Sequence, residues 1–287
     1  MKIFLSFVFS LLISACTSIN QAPVTTQAKQ NYNHLPSLQG DYFKIKSTYV
    51  GRDFHVNVRL PQGYQANDAK TYPVVYVLDG DSLFPLLAPT HLFLHYDEKL
   101  PEAIIVGISY GSFDPAINKR DTDFSAPAED AKLGEDGAPR FLDFLKKELI
   151  PKIEKQFHAN AAKRVLVGQS RAGYFVLWSA LEDPDLFWGR IASNPALTPG
   201  RARFFEAAAN HSRKDLKVAI ASGTRDTEQR QRNAVEWGTT WSSRADAPWA
   251  VKLIRLEGGT HAATIGETYR RAMLWLFEDE IASVKTP

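Results

Sequence analysis

One serine in the chain stands where its hydroxyl could act as a nucleophile. Ser170 has Gly168 two residues before it and Ala172 two residues after it, within the stretch VLVGQSRAG at 165–173. The residues before it are typical of a strand and those after it of a helix, and a sharp strand-to-helix turn requires small residues at these positions. Such a turn holds the hydroxyl above the sheet, with a helix N-terminus behind it that favours negative charge. This context predicts a catalytic serine rather than a helix cap.

A nucleophilic serine needs a neighbouring base, and an acid that orients this base. In enzymes that use such a turn, the chain order is serine, acid and histidine. Only His211 and His261 follow Ser170. His211 precedes the strand predicted at 216–222, so an acid at that strand's exit could not come before it. His261 follows the strand predicted at 250–256, in a turn of small residues, and is the expected base.

The acid has two candidates. The strand at 216–222 is followed by GTRDTE at 223–228. Asp226 lies close enough to the strand end to reach His261 and is the preferred acid. Glu228 has a longer side chain but is expected on the following helix. A carboxylate that only stabilises the helix start is a third explanation for either residue.

Two backbone amides are candidates for binding the negative charge that forms on a substrate oxygen. The first is the amide of Arg171, directly after the nucleophile. The second lies in LDGDS at 78–82, where Gly80 would turn the backbone so that the amide of Asp81 faces the site. A tight turn without a catalytic role would also favour this Asp-Gly sequence.

Strands and helices that could position these residues alternate along the chain. Strands are predicted at 42–50, 54–60, 72–78, 103–108, 164–168, 190–193, 216–222 and 250–256. Helices are predicted at 172–181 and 267–277, and an apolar stripe from Phe141 to Phe157 predicts a further helix that Pro151 interrupts. The alternation predicts the α/β class, with a mainly parallel, doubly wound sheet covered by helices on both faces.

Composition narrows the class of partner. The 287 residues are 44% hydrophobic and 23% charged, which suits one large globular domain. The formal net charge is +2, and Lys and Arg are not concentrated in any stretch. Nucleic acid is therefore not an expected partner, because phosphate binding needs concentrated positive charge. Neither a cofactor nor a metal is expected.

The N-terminus has the pattern of an exported protein. Met1-Lys2 precedes an apolar run at 3–13. A helix needs about 20 residues to span a bilayer, so this run is too short to do so. The run ends at ISAC, and Cys16 is the single cysteine, so it cannot form an internal disulfide. The pattern also fits an ordinary cleaved signal peptide, or an N-terminal segment that belongs to the folded core.

The ISAC stretch resembles the lipobox of bacterial lipoproteins. The resemblance implies a signal peptide at 1–15 and a lipid on Cys16. Because Thr17 rather than Asp follows the cysteine, it also implies the periplasmic side of the outer membrane. Polar residues at 16–36 are expected to form a flexible tether, and 37–287 a single domain.

Six segments together resemble the putative-esterase family of α/β-hydrolases, which includes esterase D, ferric enterobactin esterases and bacterial mycolyltransferases. They are YPVVYVLDG at 72–80, RDTDF at 120–124, ELIPKIE at 148–154, GQSRAG at 168–173, PDLF at 184–187 and GGTH at 258–261. The resemblance implies an α/β-hydrolase fold, Ser170 and His261 as nucleophile and base, and the Asp81 amide as oxyanion donor. Asp226 falls where many members carry the acid, although some siderophore esterases use a serine–histidine dyad.

The resemblance also implies an activity. It predicts a serine ester hydrolase that forms an acyl-enzyme on Ser170, with small-molecule esters of siderophore, cell-envelope or carbohydrate type as substrates. Acyl transfer, or a binding lipoprotein without activity on the same fold, are the alternatives. Arg171 stands where the family more often has Met, Tyr or Phe, and it either forms a surface ion pair or contacts the substrate.

Overall fold

A computed structural model describes residues 35–67 and 69–285, and within these ranges eight strands form one sheet. The strands are β1 (Gly40–Lys46), β2 (Asp53–Arg59), β3 (Tyr72–Val77), β4 (Ile104–Ser109), β5 (Ala159–Gln169), β6 (Gly189–Ser193), β7 (Leu216–Gly223) and β8 (Trp249–Leu256). Their spatial order is β1-β2-β4-β3-β5-β6-β7-β8. The pairs β1–β2 and β2–β4 are antiparallel, and the other pairs are parallel. The predicted mainly parallel sheet is confirmed.

Helices cover both faces of this sheet. They are α1 (Gly80–Glu98), α2 (Arg120–Asp123), α3 (Ala138–Phe144), α4 (Ile150–Gln156), α5 (Arg171–Glu182), α6 (Glu228–Ser243), α7 (Ile265–Leu276) and α8 (Glu278–Lys285). Side chains of α3, α5 and α6 join one apolar cluster, and those of α1, α7 and α8 join another. Alternate residues of β3 enter the two clusters, because neighbouring side chains of a strand point to opposite faces. This explains the continuous apolar sequence of β3.

Three predicted elements differ from the structure by more than two residues. The first strand ends at Lys46 rather than at residue 50, and the hairpin loop turns at Gly51, where φ is +78°. β5 begins at Ala159, five residues earlier than the predicted 164. The predicted interruption near Pro151 takes the form of a π-helical turn, Leu145–Leu149, between α3 and α4. Proline has no N–H for the preceding helical turn, so a regular α-helix cannot continue through it unchanged.

The predicted signal peptide at 1–15, the lipidation site Cys16 and most of the tether at 16–36 lie outside the described residues. The described part begins with Leu35 and a short 3₁₀ turn, Pro36–Leu38, that leads into β1. Within residues 35–67 and 69–285, the structure has no helix with the length and apolar character that a bilayer crossing requires.

Candidate active site

Ser170 lies in a sharp turn between β5 and α5. Its backbone has φ 57° and ψ −114°, a region that side-chain-bearing residues rarely adopt. Its N–H donates to the Ser193 carbonyl (2.9 Å), and its own carbonyl accepts from the N–H groups of Tyr174 (3.0 Å) and Ala196 (3.1 Å). These three hydrogen bonds hold the unfavourable conformation in place.

The small residues around this serine have a steric cause. A Cβ atom on Gly168 would lie 2.5 Å from the backbone oxygen of Ala172, so position 168 requires glycine. Ala172 itself is fully buried and its methyl group fits the turn. The structure therefore supports the strand–turn–helix context that the sequence predicted for Ser170.

His261 follows β8 and reaches the serine across the carboxyl-terminal edge of the sheet. Its Nε2 lies 3.0 Å from Ser170 Oγ. Its backbone carbonyl accepts hydrogen bonds from the side-chain amides of Gln169 (2.6 Å) and Asn194 (2.9 Å). Gln169 ends β5 and Asn194 follows β6, so the two strands nearest the nucleophile also hold the backbone of the histidine.

Asp226 completes a hydrogen-bonded chain. Its Oδ2 lies 2.7 Å from His261 Nδ1, and its side chain is 1% exposed. Its other oxygen accepts from the Thr227 N–H (2.7 Å) and lies 3.4 Å from Arg230 Nη1. A carboxylate can only accept, so the imidazole proton belongs on Nδ1 and Nε2 is left to accept the proton of Ser170.

The alternative acid lies away from this chain. Glu228 begins α6, its side chain is 86% exposed, and it pairs with Arg232 at 3.0 Å one helical turn later. His211, the other histidine that follows Ser170, lies in the loop before β7 with Nδ1 3.4 Å from the Ala209 carbonyl. The structure thus brings together Ser170, His261 and Asp226, and leaves Glu228 and His211 elsewhere.

Both predicted oxyanion amides occupy the first turn of a helix. Asp81 lies in the first turn of α1 and Arg171 begins α5. Among the described residues, no acceptor takes a hydrogen bond from either N–H. The Asp81 carboxylate accepts from the N–H groups of Tyr110 (2.8 Å) and Gly111 (2.7 Å), which fixes the start of α1 against the loop after β4. The two amides are therefore available to an incoming oxygen.

The turn before Asp81 differs in detail from the prediction. The positive φ belongs to Asp79 (52°), not to Gly80. Glycine is needed at 80 for another reason: a Cβ there would lie 2.6 Å from Ser109 Oγ and 2.7 Å from the Ile108 nitrogen. Gly80 lets the helix approach β4 closely, while the Asp79 carboxylate is held by Arg120.

The polar contacts that the described residues make with the Arg171 side chain do not include the catalytic residues. Its guanidinium donates to the Thr198 carbonyl and lies 3.8 Å from Asp121 and 3.9 Å from Glu135. This arrangement supports the ion-pair interpretation of Arg171 over contact with substrate.

A pocket of about 470 Å³ opens in front of Ser170 and His261. Its apolar lining residues are Leu83, Leu86, Phe113, Ala262, Ala263 and Ile265. Phe113 is 75% exposed and Leu86 46% exposed, so the outer wall offers free apolar surface. None of the six tryptophans, all of which lie in the described ranges, lines this pocket.

The polar residues that position the catalytic groups were not predicted from the sequence. Arg120 binds both oxygens of Asp79 (2.9 and 2.8 Å) and lines the pocket, although its segment was noted only as a family motif. Gln169 and Asn194 were not predicted to contact His261. The available signal was their position, because each lies at the carboxyl end of a strand beside the nucleophile.

The sheet, the strained serine turn and the acid and histidine that follow it define an α/β-hydrolase. Two solved structures share this fold. Their sequence identity to this chain is low, so the likeness shows the fold alone. The match to the BES protein from Bacillus cereus has a TM-score of 0.72 at 22% identity, and it covers 82% of this chain and 94% of the BES chain. An IroE-like serine hydrolase from Shewanella oneidensis has a TM-score of 0.71 at 24% identity, with coverage of 83% and 81%.

The chain belongs to the putative esterase family, whose model matches residues 47–269. Ferri-bacillibactin esterase BesA of Bacillus subtilis is 29% identical over 169 residues, which cover 53% of this chain and 57% of the relative. Apo-salmochelin esterase of Escherichia coli is 29% identical over 144 residues, or 46% and 44%. The matched stretch thus spans about half the length of these curated relatives. The family inferred from six sequence segments is confirmed.

Proposed function

We propose that this protein is a serine ester hydrolase that cleaves carboxylic esters through an acyl-enzyme on Ser170. The observation that carries the proposal is the chain of hydrogen bonds from Asp226 through His261 to Ser170, at 2.7 and 3.0 Å, on the wall of an open pocket. Membership of the putative esterase family supports the same chemistry.

The arrangement assigns a role to each group. As Ser170 Oγ attacks the ester carbonyl, His261 Nε2 takes its proton, and the buried Asp226 carboxylate stabilises the imidazolium. The developing oxyanion accepts hydrogen bonds from the amides of Arg171 and Asp81. His261 then gives its proton to the leaving alkoxide. In the second half-reaction, His261 takes a proton from water as the water attacks the acyl carbonyl. The bond to Ser170 Oγ then breaks, His261 returns the proton to that oxygen, and the carboxylic acid leaves.

Esters of siderophore type are the substrate class we propose first. Two curated relatives are named as esterases of ferri-bacillibactin and apo-salmochelin. In this chain, the exposed ring of Phe113 and the side chain of Leu86 can pack against an aromatic or other apolar acyl group. Arg120, on the polar side of the pocket, keeps its guanidinium on Asp79 and so shapes the wall near the oxyanion amides.

Labelling by a fluorophosphonate probe tests the nucleophile. Ser82 also lines the pocket, so Ser82→Ala is a matched control for Ser170→Ala. We expect Ser170→Ala to lose the label and to lower p-nitrophenyl acetate turnover by about 10³-fold or more, because only oxyanion and binding effects remain. Ser82→Ala should keep both. Labelling and turnover of Ser170→Ala at the wild-type level would refute the assignment.

We also propose that Cys16 carries a lipid that anchors the protein on the periplasmic side of the outer membrane. The support is the sequence alone: a short apolar run that ends at the single cysteine. Metabolic labelling with palmitate should mark the wild-type protein, and Cys16→Ser should prevent labelling and membrane retention. An unlipidated mature N-terminus at another residue, seen by mass spectrometry, would contradict the anchor.

A further inference from the structure

We propose that a pocket beside Asp81 binds a hydroxylated aromatic arm of the ester substrate. The inference rests on the proposed ester hydrolase and adds a second part to its binding surface. The pocket is formed by residues of β1, β2, the end of β4 and the first turns of α1, and we call it the arm pocket. Its volume of about 270 Å³ is smaller than that of the ester pocket and suits a single ring.

The arm pocket lies on the sheet face that α1 covers. Side chains of a strand alternate between faces, and Phe54, Val56 and Val58 of β2 enter the apolar cluster on the other face. His55 and Asn57 therefore lie on the α1 side, where they line the pocket together with Tyr42, which pairs with Asn57. These three residues form its polar floor.

Two side chains of this floor offer polar atoms that the protein leaves unused. The Asn57 amide has no hydrogen-bond partner among the described residues. His55 Nδ1 bonds the Tyr42 hydroxyl (2.6 Å), whereas its Nε2 has no partner there. Both residues are half-buried, and each of these unpartnered atoms keeps accessible surface. An occupant of the arm pocket can therefore reach them.

An uncharged hydroxyl group fits these atoms. It can both donate and accept, so it suits the Asn57 amide and either tautomer of His55. Burial lowers the pKa of His55 most, and the neighbouring charges act in opposite directions: Lys44 lowers it, whereas Asp81 and Asp53 raise it. Because charges of both signs lie close to the floor, the pocket favours neither an anion nor a cation.

The walls of the arm pocket suit the body of an aromatic ring. Leu38, Phe84 and Pro85 supply apolar surface beside the polar floor. An aromatic ring buries apolar area against such walls, while a hydroxyl on its edge reaches a polar partner. A phenol combines both properties in one group.

Asp81 connects the arm pocket to the ester pocket, because it lines both. Its carboxylate accepts from the Gly111 N–H (2.7 Å), and Gly111 lines the arm pocket while Phe113 lines the ester pocket. A Cβ on Gly111 would lie 2.7 Å from His55 Nε2, so glycine keeps the space beside this nitrogen open. An ester held at the Asp81 amide can thus place one arm in each pocket.

Paired esters test whether a hydroxyl in the arm pocket aids turnover. The probes are 4-hydroxyphenylalkyl acetates with linkers of two, three or four methylene groups, each compared with the phenylalkyl acetate of the same length. We expect the wild type to prefer the hydroxylated ester in kcat/KM by about fivefold at one length or more. Asn57→Leu should reduce this preference to less than about twofold. Gln65→Leu removes an exposed amide outside both pockets and should keep it.

The ester without the hydroxyl is the reference for each variant, so a general loss of activity or folding cancels in the ratio. The arm pocket is overturned by an absent preference at every length, or by one that survives Asn57→Leu or is lost in Gln65→Leu. Hydrolysis of p-nitrophenyl acetate through Ser170 would continue in each of these cases. Failure of the proposed function looks different, because p-nitrophenyl acetate would then be left intact or cleaved equally by Ser170→Ala.

NMR of histidine ring protons tests occupancy without turnover. In the Ser170→Ala protein, titration with p-cresol should shift the His55 signals saturably, and adding Asn57→Leu should weaken this binding about fivefold. The His55 signals are identified by their loss in His55→Gln. His211, in the loop before β7, is the internal control and should not shift. No saturable shift of His55, or an unchanged affinity with Asn57→Leu, would overturn the proposal.

Discussion

Two residues at opposite edges of the sheet differ in how completely the protein bonds their polar atoms. At the carboxyl-terminal edge, Nδ1, Nε2 and the carbonyl oxygen of His261 all have partners within the protein. At the amino-terminal edge, Arg59 is buried at least as deeply, and its Nε and Nη1 have no hydrogen-bond partner among the described residues. Groups fixed by internal hydrogen bonds are positioned before a substrate arrives, which is what catalysis requires. A buried polar group without such bonds instead costs the fold stability.

The largest effect on turnover is expected for Asp226, the acid that holds His261. Asp226→Asn should lower kcat/KM for p-nitrophenyl acetate by about 10³- to 10⁴-fold, because an amide neither fixes the reactive tautomer of His261 nor stabilises the imidazolium. Steady-state kinetics on the purified variant measures this loss.

Glu228→Gln is the control for that experiment, since this carboxylate is exposed and pairs with Arg232. It should change kcat/KM by less than about twofold, in keeping with the small energies of exposed ion pairs. A loss below about tenfold for Asp226→Asn, or about 1.4 kcal/mol in the activation barrier, would instead indicate a serine–histidine dyad.

A smaller effect is expected for the amides that hold the histidine backbone. Gln169→Met removes the 2.6 Å hydrogen bond to the His261 carbonyl but leaves the bond from Asn194. We expect kcat to fall about fivefold with KM little changed, because one of two positioning bonds, worth about 1 kcal/mol, is lost.

Gln229→Met, which removes a surface amide that bonds Asn233, should leave kcat unchanged. If Gln169→Met lowers thermal stability but not kcat, Gln169 is structural and does not position His261 for catalysis.

The last effect is on stability rather than on turnover and concerns His91, which lies near Arg59 at the amino-terminal edge. Burial, followed by the Arg59 charge, lowers the pKa of His91 to about 3, while its nitrogens bond the Tyr269 hydroxyl (2.8 Å) and the Pro101 carbonyl (3.0 Å). The unfolded chain binds a proton at this histidine below about pH 6.5, and the folded protein does not. Stability should therefore fall as the pH falls from about 6.5 towards 3, by up to about 1.4 kcal/mol per unit from this group.

Urea unfolding at pH 7 and pH 5 checks this sign. The His91→Gln variant should show a shallower loss of stability over that interval than the wild type. Equal slopes for both proteins would mean that His91 is protonated in the folded state as readily as in the unfolded chain.

The sequence predicted those parts of the site that depend on local pattern. Ser170 was found from the small residues that a strand-to-helix turn needs, and His261 and Asp226 from their positions after strands. The positive φ of Asp79 was not predicted, because the sequence indicated Gly80 as the turn residue, whereas Gly80 is needed for its close approach to β4. The contacts of Gln169 and Asn194 with His261 join residues up to 92 positions apart, so only the assembled sheet shows them.

The burial of Arg59 could not be predicted from the sequence for the same reason. In sequence it ends a strand of alternating character and looks like an ordinary surface arginine. Its burial arises because β2 pairs between β1 and β4, while α1 covers the face on which its side chain lies.

The backbone conformation of Ser170 has a consequence for the stability of the protein. A residue with a side chain at φ 57° and ψ −114° costs the fold about 1–3 kcal/mol, and glycine avoids that penalty. Ser170→Gly should therefore raise the stability of the protein while it removes the nucleophile. Glycine would give the more stable protein at this position, so the serine supplies a nucleophile at the expense of stability.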